Sequence, residues 1–190
     1  MPEFLLARHG ETEWSRSARH TGRTDLPLTE NGRRRAALLA PLVSNRSFSL
    51  VLTSPLSRAV ATCELAGLRA RCARRDALRE WDYGDYEGLT TVAIRHERPG
   101  WSLWRDGCPN GETADAVGSR ADEVIAEVRS AGGDAIAFGH GHMLRVLAAR
   151  WLGLPARDGA MFVLDTGSLS ALGYEHDAPA ILSWNRVPTS

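Results

Sequence analysis

Three short apolar runs along the chain have the length and density of strands that are buried on both faces. They cover residues 4–7, 50–52 and 135–138. A strand with both faces covered reads as a continuous apolar run, whereas a half-exposed strand alternates apolar and polar positions. The pattern therefore predicts three central strands of a mostly parallel sheet.

Other segments repeat apolar residues at the three- and four-residue spacing of amphipathic helices. They are residues 33–43 behind a capping Thr29, 55–66, 113–130 and 141–152. Strands that alternate with helices favour a parallel sheet covered on both sides. We therefore expect an α/β fold of three layers, α/β/α.

The end of the chain has a different pattern. Short strand-like segments at 161–164, 168–174 and 180–185 are joined by turn residues at 166–167 and 176–177. Strands joined by such short turns pair antiparallel. We therefore expect an antiparallel edge on the otherwise parallel sheet.

The segment 81–112 is rich in aromatic residues, Gly and Asp, which is typical of a cap or binding loop rather than of core. No repeat or low-complexity linker interrupts the chain. A chain of 190 residues is long enough for one good core. We expect residues 1–190 to form a single domain, with 81–112 as a cap or substrate loop.

Composition narrows the range of partners. The formal net charge is zero and the isoelectric point is about 7, so no global field attracts nucleic acid or an anionic membrane. All 23 basic residues are Arg, which excludes lysine Schiff-base chemistry and a P-loop lysine. The planar fork of arginine binds phosphate oxygens in pairs. We expect neither a nucleic acid nor a membrane partner.

The three cysteines, Cys63, Cys72 and Cys108, have unrelated spacings and no CxxC pattern. They predict neither a disulfide framework nor a zinc knuckle, and they favour a reducing cytoplasm. No apolar run approaches the length of about 18 residues that crosses a bilayer, and the N-terminal residues do not read as a secretion signal.

Residues that can bind or attack a phosphate follow three of the predicted strands. Arg8 and His9 follow the first strand, Arg58 follows the second, and His140 and His142 follow the strand at 135–138. Ligands of α/β sheets bind beyond the carboxyl ends of the strands. We therefore expect these side chains to meet in one crevice.

A neutral imidazole in such a crevice can attack phosphorus, and water can hydrolyse the phosphohistidine that results. Fixed cations lower the barrier because charge stays on the equatorial phosphoryl oxygens. Arg8, Arg58 and His140 supply such donors, so we expect no metal and no cofactor. The H-x-H pair of His140 and His142 is a weaker indication of a metal site, since no further ligands cluster with it.

Together these motifs resemble the histidine phosphatase (phosphoglycerate mutase-like) superfamily. The resemblance spans nearly the whole chain in the family's order: RHGET at 8–12, TGRTDLPLTENG at 21–32, TSPLSRAVAT at 53–62, LREWDYGDYEG at 78–88 and AFGHGH at 137–142. It implies the phosphoglycerate mutase-like fold and a phosphatase that forms a phosphohistidine. In this reading His9 is the nucleophile, and Arg8, Arg58 and His140 bind the phosphate.

The resemblance also implies that Glu80 is the proton donor. Trp81 and Tyr83 flank it, and desolvation by these rings would keep the carboxyl partly protonated. Glu87, beside a glycine, remains an alternative acid.

The same motifs supply the residues expected to contact substrate. They are Thr12, Ser15, Thr21, Gly22, Tyr83, Gly141 and His142. Ser15 stands where phosphoglycerate mutases and many broad-specificity phosphatases have an Asn that contacts phosphate. His20 precedes Thr21 and is a further candidate.

The segments LREWDYGDYEGLTT, WSLWRDGCPNGET and GHGHMLRVLAARWLGL resemble the subgroup with fungal sedoheptulose 1,7-bisphosphatase and an actinobacterial acid phosphatase. This resemblance implies a sugar phosphate or bisphosphate substrate. Trp101 and Trp104 would pack on the sugar and Arg105 would hold a second phosphate. Asn110, Glu112 and Thr113 are further candidate contacts, although WRDGCPNGE reads equally as a turn and helix cap.

Two other functions stay open. A phosphoglycerate mutase would share the first half-reaction, but the adjacent arginine pair of those mutases is absent from residues 90–112. An inactive phosphate-binding module would not need the complete set of catalytic residues. We expect a small phosphate ester as the partner, and a homodimer as a possible assembly.

Overall fold

Six strands form one sheet in the order β3-β2-β4-β1-β5-β6 in this computed structural model, which describes residues 2–189. The strands are β1 (Phe4–Arg8), β2 (Leu50–Thr53), β3 (Ala73–Arg74), β4 (Ala135–Gly139), β5 (Leu169–Glu175) and β6 (Ala178–Arg186). Strands β1 to β4 pair in parallel, and β5 and β6 pair antiparallel at one edge. The predicted fold class is confirmed.

Eight helices accompany the sheet within the described residues. They are α1 (Glu13–Arg16), α2 (Glu30–Ala37), α3 (Ala40–Val43), α4 (Ser57–Leu65), α5 (Thr91–Glu97), α6 (Leu103–Asp106), α7 (Ala114–Ala131) and α8 (Gly141–Trp151). Threonine hydroxyls cap several of them: Thr29 accepts from the backbone of Gly32, and Thr113 accepts from that of Ala116. Short 3-10 turns lie at Arg69–Arg71, Asp76–Leu78, Gly84–Tyr86 and Ala156–Met161.

Both faces of the sheet are covered, as the continuous apolar runs predict. Leu6 of β1 belongs to a core with Val124 of α7 and Leu144 of α8. The next residue back, Leu5, belongs to a second core with Val43 of α3. Successive side chains of a strand point to opposite faces, so one strand supplies both cores.

Two predicted elements are wrong. The helix expected over 33–43 is interrupted, because Pro41 has no backbone N–H and instead occupies the first turn of α3. The strand expected at 161–164 is absent, because side chains replace strand partners there. The carbonyl of Val163 accepts from the Trp184 indole, and the Asp165 N–H donates to the Asn185 side chain.

The cysteine prediction also needs correction. Cys63 of α4 and Cys72, which precedes β3, form a disulfide with their Cα atoms 7.0 Å apart. The pairing arises because the chain reverses after α4, which sequence spacing does not encode. Cys108 is free and buried, and burial raises the pKa of its thiol to about 12.

Candidate active site

A cavity of about 260 Å³ opens where β1 and β4 end. Arg8 and His9 line it from the end of β1, and Gly141 and His142 line it from the first turn of α8. Parallel pairing aligns Arg8 with Gly139, so the two strands end at the same level. Of the side chains expected to meet in one crevice, the cavity brings together those of Arg8, His9 and His142.

His9 is held in one tautomer. Its Nδ1 lies 2.7 Å from the Gly10 carbonyl oxygen, which can only accept, so Nδ1 carries the hydrogen. Nε2 has no partner among residues 2–189 and is not sealed from solvent. Burial, followed by the charges of Arg58 and Arg8, lowers the pKa of His9 well below its ordinary value. The imidazole is therefore neutral, with a free Nε2 lone pair.

The backbone around His9 is fixed from behind. The Gly10 N–H donates to Thr62 Oγ1 over 3.1 Å, and the Thr62 hydroxyl donates to the Arg58 carbonyl over 2.7 Å. A side chain at Gly10 would run into the Gly32 backbone, so only glycine fits. Thr62 is a functional residue that the motifs contain but sequence reasoning missed, because its role depends on a neighbour 52 positions away.

Arg8 offers a donor without a partner. One Nη donates to the Leu164 carbonyl, while the buried Nε has no hydrogen-bond partner in the described chain. Buried N–H groups are rarely left unpaired, so the unpaired Nε marks Arg8 as a side chain whose hydrogen bonds are incomplete in the free protein. The Gly141 position is close enough that an added Cβ would lie 3.2 Å from Arg8 Cζ.

Arg58 and His140 lie behind His9 rather than in the cavity lining, and both are fully buried. The guanidinium donates to the carbonyls of Thr21, Gly22 and Thr24 over 2.9 to 3.1 Å, and its Nε donates to His140 Nδ1 over 3.2 Å. These contacts account for four of the five guanidinium N–H groups, so Arg58 would have to use the remaining N–H on Nη1 or exchange partners to bind phosphate directly.

His140 is fixed by the same contacts. Because Arg58 Nε can only donate, His140 Nδ1 accepts, and its Nε2 donates to Ser54 Oγ over 2.8 Å. Its ring centroid is 5.1 Å from that of His9. Burial, and then the charge of Arg58, lowers the pKa of His140 well below its ordinary value. Both of its nitrogens are occupied, which argues against a metal at the H-x-H pair.

Glu80 lines the cavity and accepts three backbone hydrogen bonds. Oε1 accepts from Trp81 and Met143, each over 2.9 Å, and Oε2 accepts from His142 over 3.1 Å. Two of these donors belong to the N-terminal turn of α8, whose dipole also favours negative charge. The contacts fix the carboxyl group at the cavity wall, beside the buried Trp81 and Tyr83.

Glu87 has a different task. Its carboxylate accepts from the Gly22 N–H over 2.9 and 3.0 Å and from the Thr24 N–H over 3.1 Å. It thereby holds the loop at residues 21–24, whose carbonyls accept hydrogen bonds from Arg58. It does not line the cavity, so its contacts support a structural role rather than the alternative acid.

The predicted substrate contacts divide into two groups. Those that line the cavity are Ser15, Thr21, Tyr83, Gly141 and His142. The Ser15 hydroxyl is occupied, because it accepts from the Thr12 N–H over 2.8 Å and donates to the Thr12 carbonyl over 3.0 Å. Thr12 is fully buried, and Gly22 lines a neighbouring depression of about 390 Å³. These two residues are therefore corrected to supporting positions.

The cap residues also need correction. Trp101 is 2% exposed and donates to the Gly107 carbonyl over 2.9 Å, and Trp104 packs 5.2 Å from the His142 ring without lining the cavity. Arg105 is exposed, where its N–H groups bind Asp106 and the Gly100 carbonyl. Neighbouring acceptors in the cap hold it away from the cavity.

The other candidate contacts in WRDGCPNGE instead form a turn and a helix cap, which was the alternative interpretation of this segment. Asn110 adopts a left-handed backbone at φ 57° and binds Asp85 over 3.0 Å. Glu112 accepts from the Asp82 N–H and pairs with Arg120, and Thr113 caps α7. None of the three lines the cavity.

Two arginines of the cavity were missed by sequence reasoning. Arg145 stacks 4.6 Å over Trp104 and donates to the carbonyls of Gly159 and Ala160, with no carboxylate partner within residues 2–189. Arg19 is exposed at the rim and likewise has no ion pair there. Helical spacing could have found Arg145, since position 145 lies one turn after Gly141 on the same face of α8.

The cavity carries an excess of positive charge. Its charged lining residues are Arg8, Arg19, Arg145 and Glu80, which leaves three positive charges against one negative. Within the described residues, no three His, Cys, Asp or Glu side chains cluster as metal ligands do. The lining therefore suits a ligand with more than one negative charge.

Comparison with known proteins places these motifs in a family. The model of the histidine phosphatase superfamily (branch 1) matches residues 4–187. An acid phosphatase of Mycobacterium tuberculosis is 42% identical over 91% of this chain and 87% of its own. Sedoheptulose 1,7-bisphosphatase of Saccharomyces cerevisiae is 33% identical over 95% of this chain and 91% of its own length. The solved structure of open reading frame Rv3214 from Mycobacterium tuberculosis aligns with a TM-score of 0.94 at 38% identity, covering 99% of both chains.

Proposed function

This chain belongs to the histidine phosphatase superfamily, and from that premise we propose that it hydrolyses a small phosphate monoester through a phosphohistidine at His9. The observation that carries the proposal is the state of His9. Its Nδ1 is committed to the Gly10 carbonyl, which leaves the Nε2 lone pair free in a cavity that Arg8 also lines. A neutral nucleophile and a cationic side chain that can bind phosphate oxygens thus line the same cavity.

In the first step Nε2 of His9 attacks phosphorus, and the bond between phosphorus and the ester oxygen breaks. Arg8 stabilises the negative charge on the phosphoryl oxygens. In the second step water attacks the phosphohistidine, which releases inorganic phosphate and restores the imidazole.

Glu80 is proposed to move the protons of both steps. Its three backbone donors hold the carboxyl group beside the cavity. Glu80 enters the first step as the carboxylic acid. That acid gives its proton to the leaving alkoxide, and the resulting carboxylate takes a proton from the attacking water.

We further propose that the substrate is a sugar phosphate or bisphosphate. Two relatives are named for phosphatase activity, and one of them for a ketose bisphosphate. The cavity adds a physical reason, since Arg19 and Arg145 lie in its lining without carboxylate partners. They replace Arg105 as the cations available to a second anionic group.

A substrate panel tests this proposal. Purified protein, pretreated with a chelator, is assayed for phosphate release from sugar monophosphates, ketose bisphosphates and 3-phosphoglycerate, with His9→Ala as the control. We expect release that survives chelation, is fastest with a bisphosphate and is lost in the control. Interconversion of phosphoglycerates without phosphate release would instead identify a mutase, and loss of activity on chelation would contradict metal-independent chemistry.

Location and assembly belong to the proposal as well. No helix within residues 2–189 has both the length and the hydrophobicity to cross a bilayer. The proposed cytoplasmic location has less support than cysteine usage suggested, since disulfides such as Cys63–Cys72 are rare there. The proposed homodimer is supported by exposed Met161, Val163 and Leu182 near the edge strand β6. Light scattering tests the dimer.

A further inference from the structure

His142 is a second imidazole in the cavity that the phosphoryl chemistry does not use. It lies in the first turn of α8, and its backbone N–H donates to Glu80 Oε2 over 3.1 Å. The edges of Trp81 and Trp104 pack against its ring, with centroids 6.3 and 5.2 Å away. The ring is therefore fixed beside the acid that serves the leaving group.

The Tyr83 hydroxyl sets the tautomer of this ring. Tyr83 Oη lies 2.6 Å from His142 Nδ1, which is its one hydrogen-bond partner in the described chain. Tyr83 is 2% exposed, so its O–H would be left without an acceptor if Nδ1 were the donor. Tyr83 therefore donates, Nδ1 accepts, and the hydrogen of the neutral imidazole lies on Nε2.

The pair is uncharged. Burial raises the pKa of the Tyr83 phenol well above its ordinary value, with Glu80 adding to the effect. Burial, and then the charge of Arg145, lowers the pKa of His142 well below its ordinary value. Nε2 has no partner in residues 2–189 and is not sealed from solvent, so its N–H is open to a ligand in the cavity.

A third neutral ring extends the same wall. The His20 ring stacks 4.7 Å from Tyr83, and Thr91 Oγ1 lies 3.3 Å from His20 Nε2. Burial lowers the pKa of His20 to about 4. One side of the cavity thus consists of uncharged rings with polar edges, whereas Arg8, Arg19 and Arg145 supply the positive charge of the lining.

We propose that His142, held in its Nε2–H tautomer by Tyr83, is a specificity-determining residue that donates a hydrogen bond to a hydroxyl oxygen of a polyhydroxy leaving group. The inference rests on the proposed function and adds the chemistry of the leaving group to it. A neutral N–H beside Glu80 can bind an alcohol oxygen without competing for the proton that the leaving alkoxide needs. An aryl or simple alkyl leaving group offers no hydroxyl for that donor.

Kinetics of Tyr83→Phe test the inference, because this change removes only the hydroxyl. We expect kcat/KM for a ketose phosphate to fall about 3- to 10-fold, as for loss of one neutral hydrogen bond, mainly through KM. The loss with 4-nitrophenyl phosphate should be smaller. His142→Gln, which keeps an N–H donor, should retain more sugar preference than His142→Leu. His96→Gln, at an exposed histidine, is the control with unchanged rates.

Nitrogen-15 NMR spectra of His142 show which ring nitrogen carries the hydrogen, a property that would not change if Tyr83 had only a structural role. In the wild type we expect a protonated Nε2 and an unprotonated Nδ1, and in Tyr83→Phe a mixture of tautomers. A protonated Nδ1 in the wild type, or equal losses for both substrates in Tyr83→Phe, would overturn the inference. Failure of the proposed function is separate, since the wild type would then hydrolyse neither substrate.

Discussion

The floor of the cavity, formed by Arg8 and His9 at the end of β1, is positioned by strand pairing. The segment 81–112, predicted to be a cap, is positioned by short helices, turns and side-chain packing. Arg8 ends β1 in register with Gly139 of β4, so ladder hydrogen bonds determine where its side chain begins. In the cap, Trp101 turns inward to the core, and Arg105 pairs with Asp106 at the surface. Strand pairing thus determines the positions of the side chains in the floor, whereas hydrogen bonds and packing with nearby residues determine those in the cap.

The same comparison separates the arginines. Arg105 of the cap is bound by a carboxylate, but Arg8 of the floor and Arg145 of α8 have only carbonyl partners within residues 2–189. An arginine already paired with a carboxylate has less to gain from an anionic ligand. We therefore expect the arginines without a carboxylate partner to bind substrate, whether or not they lie in the cap.

The largest effect among the variants below is expected at Glu80, which joins the cap segment to α8. Glu80→Gln should slow hydrolysis of an alkyl phosphate by about 10²–10⁴-fold, because a positioned acid is lost. Aryl phosphates, whose leaving groups need less protonation, should lose less in kcat/KM, which reports the step that phosphorylates His9. Equal losses in kcat/KM with both classes of substrate would remove Glu80 from the role of acid.

The arginine comparison gives the next effect. Arg145→Gln should reduce kcat/KM for a ketose bisphosphate by roughly 10- to 100-fold, the range for a hydrogen bond to a charged group. Its effect on a monophosphate should be smaller. The matched change Arg105→Gln should stay within about twofold for both, and a larger loss there would return the cap arginine to the binding site.

Thr62 tests how the floor is supported. Thr62→Val keeps the shape but leaves the buried Gly10 N–H unpaired, so we expect a loss of about 1–3 kcal/mol in the free energy of unfolding. We also expect a lower kcat, since Gly10 orients His9. Thr62→Ser should recover most of both, as measured by denaturant unfolding and steady-state kinetics. No difference between the two variants would contradict the support role.

The last prediction concerns the dependence of stability on pH rather than a change in activity. Burial holds the pKa of His9, His20, His140 and His142 below the ordinary value of 6.5. The unfolded chain therefore binds more protons below pH 6.5, and the free energy of unfolding falls as pH falls through that value. Each group adds at most about 1.4 kcal/mol per pH unit. His20→Gln should flatten the dependence between pH 6.5 and about 4, where the pKa of His20 lies, and an unchanged slope would contradict its neutral state.

The sequence was sufficient to predict the features that depend on backbone pairing, namely the strands and the residues at their ends. The apolar runs gave the central strands, and strand ends brought Arg8 and His9 to one cavity. It did not locate what depends on packing. The Trp101 side chain is buried because the Gly107 carbonyl and the core receive its indole, and no periodicity in the cap encodes that contact.

The tautomers of the histidines could likewise not be predicted from the sequence. That Nε2 of His9 is free follows from one carbonyl 2.7 Å from Nδ1, a contact that requires the folded turn at Gly10. The disulfide between Cys63 and Cys72 depends in the same way on a chain reversal. Short-range spacing predicts elements, but it does not predict which polar atoms meet.

The most direct test of the account is the position of phosphate on the enzyme. Wild-type protein is incubated briefly with a sugar phosphate, quenched without acid, digested with protease and analysed by phosphorus NMR and mass spectrometry. The account predicts an acid-labile, alkali-stable phosphohistidine at His9, bonded through Nε2 and absent from His9→Ala. A phosphate on Nδ1, on another residue or in an alkali-labile bond would contradict it.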